Sequence, residues 1–120
     1  MDTPKIFESE YRFCLILWDN EPINSTRLVQ LAKQQLGWSK ATTYTVIRRL
    51  SERGVVRNEN AIVSAIISKE DAQKARLEEM MDETFEGSMP AFIAAFSRSK
   101  KLSREDVDQL KALIDRFEEE

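Results

Sequence analysis

The 120-residue sequence predicts a mostly α-helical protein that contains one small β-hairpin. Three stretches with the apolar spacing of amphipathic helices fill residues 9–54. Two short runs rich in β-branched residues follow, and helical spacing then returns from residue 69 onward. A chain of this length has room for one small domain and a helical extension, so we expect a boundary between 1–68 and 69–120.

The first two helices are each predicted from a polar cap and an apolar stripe. Ser9 is the expected cap of the first helix. Its stripe consists of Tyr11, Cys14, Leu15 and Trp18. Asn24 or Ser25 is expected to cap the second helix, and Gly37 to end it. The second stripe consists of Leu28, Leu31, Ala32 and Leu36.

The third helix and the hairpin complete a recognisable order of elements. Ser39 is expected to cap a helix over about 39–54, ended by Gly54. Its core stripe is Thr43, Val46, Ile47 and Leu50. The runs 55–57 and 61–67 form the hairpin, with 58–60 as its turn. Three helices followed by a hairpin are typical of a winged helix-turn-helix, in which the third helix enters the major groove of DNA.

The C-terminal part is predicted to contain three more helices. Ser68 caps the first, over 69–85, and Gly87 and Ser88 break it. A short apolar helix over 90–96 and a polar link over 97–101 come next. Ser103, with Asp106 three residues later, resembles a capping box and opens the last helix.

We expect this C-terminal helical region to be a dimerisation region, because so short a chain has little core with which to cover its apolar helices. A two-fold dimer would present two third helices about one DNA turn apart. The alternative is that the two methionines fill the core of a single chain and the last helix packs back onto its own domain. The residues expected at the dimer contact are Met80, Met81, Phe85, Phe92, Phe96, Val107, Leu110, Ile114 and Phe117.

Composition argues against an enzyme. The sequence contains no histidine, the commonest general base and metal ligand, and only three glycines, in none of the phosphate-binding patterns. The single cysteine, Cys14, lies in an apolar stretch and is expected to pack in the core. We expect no catalytic residue, metal or cofactor. The sequence has neither a secretory signal core nor an apolar run of roughly 20 residues, so we expect a cytoplasmic protein without a membrane partner.

Positive charge is concentrated on one segment although the whole chain has a net charge of −3. Residues 1–68 carry a net charge of +2 and residues 69–120 a net charge of −5. Within 38–57 a single acid, Glu52, accompanies five basic residues. These are Lys40, Arg48, Arg49, Arg53 and Arg57. Such a cluster is typical of a surface that binds DNA phosphates.

A helical projection at 100° per residue places four residues opposite the core stripe, with Tyr44 and Arg49 on the flanks. The four are Ala41, Thr45, Arg48 and Glu52. Arg48 can pair bidentately with guanine, Thr45 can donate or accept, and Tyr44 can touch a thymine methyl or a phosphate. Lys40 and Thr42 suit phosphate contacts in the first turn. The expected DNA-binding residues are Lys40, Ala41, Thr42, Tyr44, Thr45, Arg48, Arg49 and Arg57.

Simpler interpretations of some of these side chains stay open. Arg48 and Glu52 have the spacing of an ordinary surface ion pair, and Arg49 and Arg53 would also serve solubility. Trp38, at the start of the third helix, is more typical of a packing anchor than of a residue that stacks on bases.

The third helix also carries a family signature. The pattern W-S-x-x-T-x-x-T-x-x-x-R-L-x-x-x-G resembles that of the penicillinase-repressor family, with its BlaI, MecI and CopY types. It is formed by Trp38, Ser39, Thr42, Thr45, Arg49, Leu50 and Gly54. Glu10, Trp18, the 85–88 break and Leu102-Ser103 also match. The resemblance implies a winged helix that binds a palindromic operator, a C-terminal dimerisation region, and repression relieved by an upstream signalling protein or protease.

The chain departs from this family at three places. The β-lactam branch is cut before a phenylalanine that resembles Phe96, but the preceding residue there is usually Asn and is Ala95 here. The Cys-x-Cys pair of the copper branch is absent, because no cysteine follows Cys14. The Gly-Arg of the family's wing corresponds to Asn60-Ala61, and its aromatic residue to Ser64 or Ala65. Contacts between the wing and DNA phosphates should therefore be weaker. The alternative function is that of a winged helix that binds protein partners and no operator.

Overall fold

The computed structural model describes residues 3–99 and 101–118 and confirms a mostly α-helical winged-helix fold. Its elements are, in chain order, α1 (Glu8–Asn20), β1 (Ile23–Asn24), α2 (Ser25–Leu36), α3 (Lys40–Glu52), β2 (Val56–Glu59), β3 (Ile62–Ala65), α4 (Lys69–Phe85), α5 (Met89–Ser99) and α6 (Arg104–Glu118). The chain forms two compact units, Met1–Leu77 and Glu78–Glu120, so that the division between them falls within α4.

The start of α1 differs from the prediction. Ser9 is not the cap: the helix begins at Glu8, and the Glu10 carboxylate accepts a hydrogen bond of 2.9 Å from the Phe7 amide. The buried face was also misplaced. It is formed by Glu10, Phe13, Cys14, Ile16 and Leu17, whereas Tyr11, Leu15 and Trp18 are half-buried. Residues 13–18 are all apolar, so the spacing of apolar residues does not show where the centre of the buried face of α1 lies.

The caps of α2 and α3 are those predicted. Asn24 accepts a hydrogen bond of 2.8 Å from the Thr26 amide, and Gly37 ends α2 in the left-handed region at φ 72°. Ser39 accepts a hydrogen bond of 3.1 Å from the Thr42 amide. The predicted core residues of α3, Thr43, Val46, Ile47 and Leu50, are all buried. The helix ends at Glu52, two residues before Gly54.

The hairpin belongs to a three-stranded antiparallel sheet with the order β1-β3-β2. Its turn is Asn60-Ala61, both with positive φ, which gives the two-residue loop that suits strand twist. The predicted turn 58–60 was wrong at Asn58 and Glu59, because both pair with β3 and extend the ladder. Strand β1 was not predicted, since two residues are too few to show alternation.

The core of the first unit lies between α1, α2, α3 and the sheet. Its largest fully buried side chains include Phe13, Leu17, Leu28, Ile47, Leu50, Val55, Val56 and Val63. Each contributes about 1.5–3 kcal/mol to folding by leaving water. Trp38 stacks on Phe13 with ring centroids 5.6 Å apart, which confirms it as a packing anchor. This packing holds the inner face of α3 and leaves the opposite face to solvent.

Helices α4 and α6 have the predicted caps. Ser68 accepts from the Asp71 amide at 3.0 Å, and Ser103 and Asp106 form the reciprocal box before α6. Helix α4 has the predicted bounds, but α5 continues to Ser99, into the link predicted over 97–101. Lys100 of that link lies outside the described residues. Among the described residues, the structure contains no helix that is both long and apolar enough to span a membrane.

Candidate nucleic-acid interface

The outer face of α3 gathers most of the residues predicted to bind DNA. Burial of the core stripe of this helix turns the other side of the helix toward solvent. Thr45 is half-exposed, and the remaining side chains of the face are exposed. The exposed ones are Lys40, Ala41, Thr42, Arg48 and Arg49. One helix therefore presents three basic side chains and two hydroxyl groups.

The first turn of α3 is held rigidly. The Ser39 hydroxyl accepts from the Thr42 amide at 3.1 Å and donates to the Thr42 hydroxyl oxygen at 3.0 Å. The Thr43 hydroxyl donates to the Ser39 carbonyl at 3.0 Å. A helix start offers backbone amides and a partial positive charge, and Lys40 adds a full charge beside them. This end of α3 therefore suits a phosphate.

Arg48 forms the surface pair that its spacing suggested. Its guanidinium lies 3.4 Å from the Glu52 carboxylate, and both side chains are 64% exposed. Exposed pairs of this spacing contribute about 0.3–0.5 kcal/mol, which is less than a bidentate contact to guanine provides. Arg57, on the edge strand β2, pairs in the same way with Glu59 at 3.4 Å. Because both ion pairs are exposed and weak, Arg48 and Arg57 can leave these carboxylates and bind DNA groups instead.

Arg53 does not belong to this surface, although the sequence placed it in the basic cluster. Its guanidinium forms an ion pair with the buried Glu10 carboxylate and donates to the Lys5 carbonyl at 2.6 Å. It also lies 5.3 Å from the centre of the Phe7 ring. Arg53 therefore stabilises the fold, and the basic cluster has one side chain fewer to offer to DNA. Sequence reasoning missed this role because the ion-pair partners are 43 residues apart.

Tyr44 is tied to α2. Its ring packs against the core, and its hydroxyl lies 3.2 Å from the Ser25 hydroxyl, which is buried at the first residue of α2. This bond places the start of α2 beside one flank of α3. The sequence singled out Ser25 only as a possible cap and missed this contact. Tyr44 thus orients the helix pair, and its contribution to any DNA surface is limited to the exposed part of its ring.

The residues predicted at the dimer contact lie on helices with almost no core of their own. Neither α5 nor α6 contains a buried residue among those described. Phe96 is 39% exposed, Ile114 57% and Phe117 74%. Met80, Phe85, Phe92, Val107 and Leu110 are half-buried. Met81 is already buried within the single chain, at 7% exposure, so it adds little surface to a dimer.

Aromatic side chains link the end of α4 to α5. Phe85 and Phe92 meet edge to face at 5.5 Å, and Phe92 and Phe96 lie 6.3 Å apart. Beside them is an open, mainly apolar groove of about 360 Å³. It is lined by Phe92, Ile93, Phe96, Leu102, Asp106, Gln109, Leu110 and Leu113.

The bond between Ala95 and Phe96 lies inside α5, which runs to Ser99. Proteases prefer exposed loops whose backbone is free, so cutting here would require α5 to unwind locally. Two features therefore disfavour cleavage at this bond: its position inside a helix, and Ala95 in place of the Asn that is usual in the cleaved branch.

Comparison with known proteins agrees with the signature on α3. The sequence profile of the penicillinase repressors matches residues 6–116. The methicillin resistance regulatory protein MecI of Staphylococcus aureus strain Mu50 is 20% identical over 118 residues, covering 95% of this chain and 96% of MecI. MecI of Mammaliicoccus sciuri is 19% identical over the same shares. The penicillinase repressor of Bacillus licheniformis is 18% identical over 116 residues, which are 93% of this chain and 91% of that protein. The chain belongs to the penicillinase repressor family.

Proposed function

We propose that the protein binds a palindromic DNA operator as a homodimer, with α3 in the major groove. Family membership supports the coarser statement that it is a transcriptional repressor and not an enzyme. The single observation that carries the finer proposal is the outer face of α3, where Lys40, Arg48 and Arg49 are exposed on a helix whose other face is fixed in the core. In a bacterium such a repressor works in the cytoplasm, where the DNA is.

Each side chain of this face has a role suited to its position. Arg48 is proposed to read guanine, with Ala41 and Thr45 beside it in the groove. Lys40 and Thr42 hold a phosphate together with the first-turn amides. Contacts from Arg49 and Arg57 fix the register on the backbone without reading sequence. The tip of the wing, Asn60-Ala61, carries no positive charge and contributes little.

Dimerisation is proposed to use the C-terminal region 69–120, while 1–68 binds DNA. Apolar side chains on α6 that are between 43% and 74% exposed support this assignment, because their burial against a second copy would be favourable. These side chains are Leu113, Ile114 and Phe117. An upstream signalling protein or protease is the proposed source of derepression, and DNA binding itself is proposed to need no cofactor.

Fluorescence anisotropy on tiled duplexes from the region upstream of the gene tests the proposal, at about 150 mM salt with competitor DNA, where nonspecific attraction is reduced. We expect one inverted repeat to bind two chains at nanomolar concentration. Changing Arg48 and Arg49 together to Ala should weaken this binding at least about tenfold and flatten the salt dependence by about 0.9 for each DNA phosphate that is no longer neutralised.

The matched control changes Lys69 and Lys74 to Ala. Both are exposed on α4, so the control removes the same charge away from α3. We expect it to retain most of the operator affinity. Equal losses of affinity in the two double variants would show that Arg48 and Arg49 act only through the net charge of the protein and not through contacts made by α3. Absence of specific binding in a wider genomic selection would favour the alternative, a winged helix that binds protein partners.

A further inference from the structure

The first turns of α4 are attached to α1 by three side-chain contacts. The Trp18 indole donates to the Ile67 carbonyl, just before α4, at 3.0 Å. Farther along, Gln73 donates to the Tyr11 hydroxyl at 3.3 Å. All of these residues lie in the unit Met1–Leu77. The third contact belongs to Arg76.

Arg76 binds two groups of α1 at once. Its guanidinium lies 3.8 Å from the centre of the Tyr11 ring and 2.8 Å from the Glu8 carboxylate. Tyr11 is in turn packed edge to face against Trp18, with ring centroids 5.7 Å apart. A cation over an aromatic face, paired with a carboxylate, has a defined direction that a lone surface ion pair lacks. Arg76 is 38% exposed, so solvent screens the contact only in part.

The order of the contacts fixes the direction of α4. As the chain advances from 67 to 73 and 76, its partners step back along α1 from 18 to 11 and 8. The first turns of α4 therefore run antiparallel along α1. Helix α1 is itself joined to the end of α3 by the pair between Glu10 and Arg53. Within this unit, the first turns of α4 are thereby held in one direction relative to α3.

We infer that Arg76 is a positioning residue that determines how strictly the repressor selects the spacing between the two halves of its operator. The inference rests on the proposed function. Helix α4 is continuous from Lys69 to Phe85, and the division into units falls within it. Arg76 is the last residue but one of the first unit, so in a dimer held by the C-terminal helices its contacts limit how far the winged helix can move on α4. Loss of these contacts would allow the two α3 helices of the dimer to bind half-sites at an altered spacing.

The test uses the full-length protein and the inverted repeat selected from the tiled duplexes, with zero, one or two base pairs inserted at its centre. Each insertion rotates one half-site by about 34° and moves it by about 3.4 Å. The measured quantity is the ratio of the affinity for the native spacing to that for each altered spacing. We expect Arg76→Ala and Arg76→Gln to lower this ratio by about three- to tenfold, and Arg76→Lys, which keeps a cation near Tyr11 without the planar guanidinium, to restore part of it.

The matched control is Arg12→Ala. Arg12 also pairs with Glu8, at 4.0 Å, but both residues lie on α1, so its removal leaves α4 attached. We expect this control to keep the wild-type ratio. A wild-type ratio in both Arg76→Ala and Arg76→Gln would overturn the inference while leaving the proposed function intact. Failure of the wild-type protein to bind any inverted repeat would overturn the proposed function and, with it, the inference.

Discussion

The buried carboxylate of Glu10 serves two helices. One oxygen accepts from the Phe7 amide and closes the start of α1, and the other binds Arg53 at the end of α3. A buried carboxylate is tolerated because a cation and a backbone donor both satisfy it. Neither partner is evident from the sequence. Helical spacing shows which face of a helix a residue lies on, but not which side chain of another element contacts it. For the same reason Arg53 was counted in the basic cluster, and the bond between Tyr44 and Ser25 was missed.

Cys14 gives a residue-scale prediction about pH. Burial raises the pKa of its thiol from 9.0 to about 12, the negative charge of Glu10 adds to the rise, and Arg53 opposes it. The pKa in the folded protein is the higher one, so the stabilising effect of the neutral thiol is complete below about pH 9 and is lost as pH rises toward 12. Over that range the free energy of unfolding should fall by about 1.4 kcal/mol per pH unit.

Urea unfolding at about pH 8 and pH 10 measures this decrease, with Cys14→Ala as the control for all other groups that titrate there. Between the two pH values, the free energy of unfolding should fall by about 1.4 kcal/mol more in the wild-type protein than in the variant. An equal decrease in both proteins would show that the thiol ionises no differently in the folded and unfolded chains.

At the scale of elements, the sequence predicted best where a cap and a clear stripe coincide. The starts of α2, α3 and α4 follow from Asn24, Ser39 and Ser68, and the clear stripe of α3 made its outer face predictable. Prediction failed where local signals are weak. The face of α1 is ambiguous within an apolar run, and β1 depends on pairing with β3, 38 or more residues away. That pairing is made only by the folded chain.

The turn of the wing carries an avoidable strain. Ala61 has φ 66°, in the left-handed region, which costs a residue with a Cβ atom about 1–2 kcal/mol. Ala61→Gly should therefore raise the free energy of unfolding by about 0.5–1 kcal/mol after the entropy cost of glycine is deducted. Thermal unfolding followed by circular dichroism measures it. Because no charge changes, the salt dependence of DNA binding should stay as in the wild type.

The control for this turn is Ala65→Gly, within β3 and opposite Val56. There a glycine gains no conformational advantage and should lower stability by about 0.5–1 kcal/mol. The two substitutions are chemically identical and are expected to act in opposite directions. The same sign at both positions would show that the positive φ of Ala61 is not a source of strain.

For the whole molecule, the decisive question is whether the apolar face of α6 is covered by a second copy. Ile114 belongs to this face and is 57% exposed in the single chain. Ile114→Glu would bury an unpaired carboxylate in a dimer, so we expect sedimentation to show a monomer of 13.9 kDa where the wild-type protein sediments as twice that mass. Ala112→Glu adds the same charge on the polar side of α6 and should remain dimeric.

Operator binding should follow the state of assembly. A monomer contacts one half-site with one α3, so Ile114→Glu should retain weak, salt-sensitive DNA binding without the high affinity that requires two half-sites at once. Dimeric sedimentation of Ile114→Glu would exclude Ile114 from the dimer interface and favour the groove that Phe92, Phe96, Leu110 and Leu113 line. Monomeric Ile114→Glu with undiminished operator affinity would show instead that each winged helix binds independently, so that dimerisation could not be the source of operator affinity.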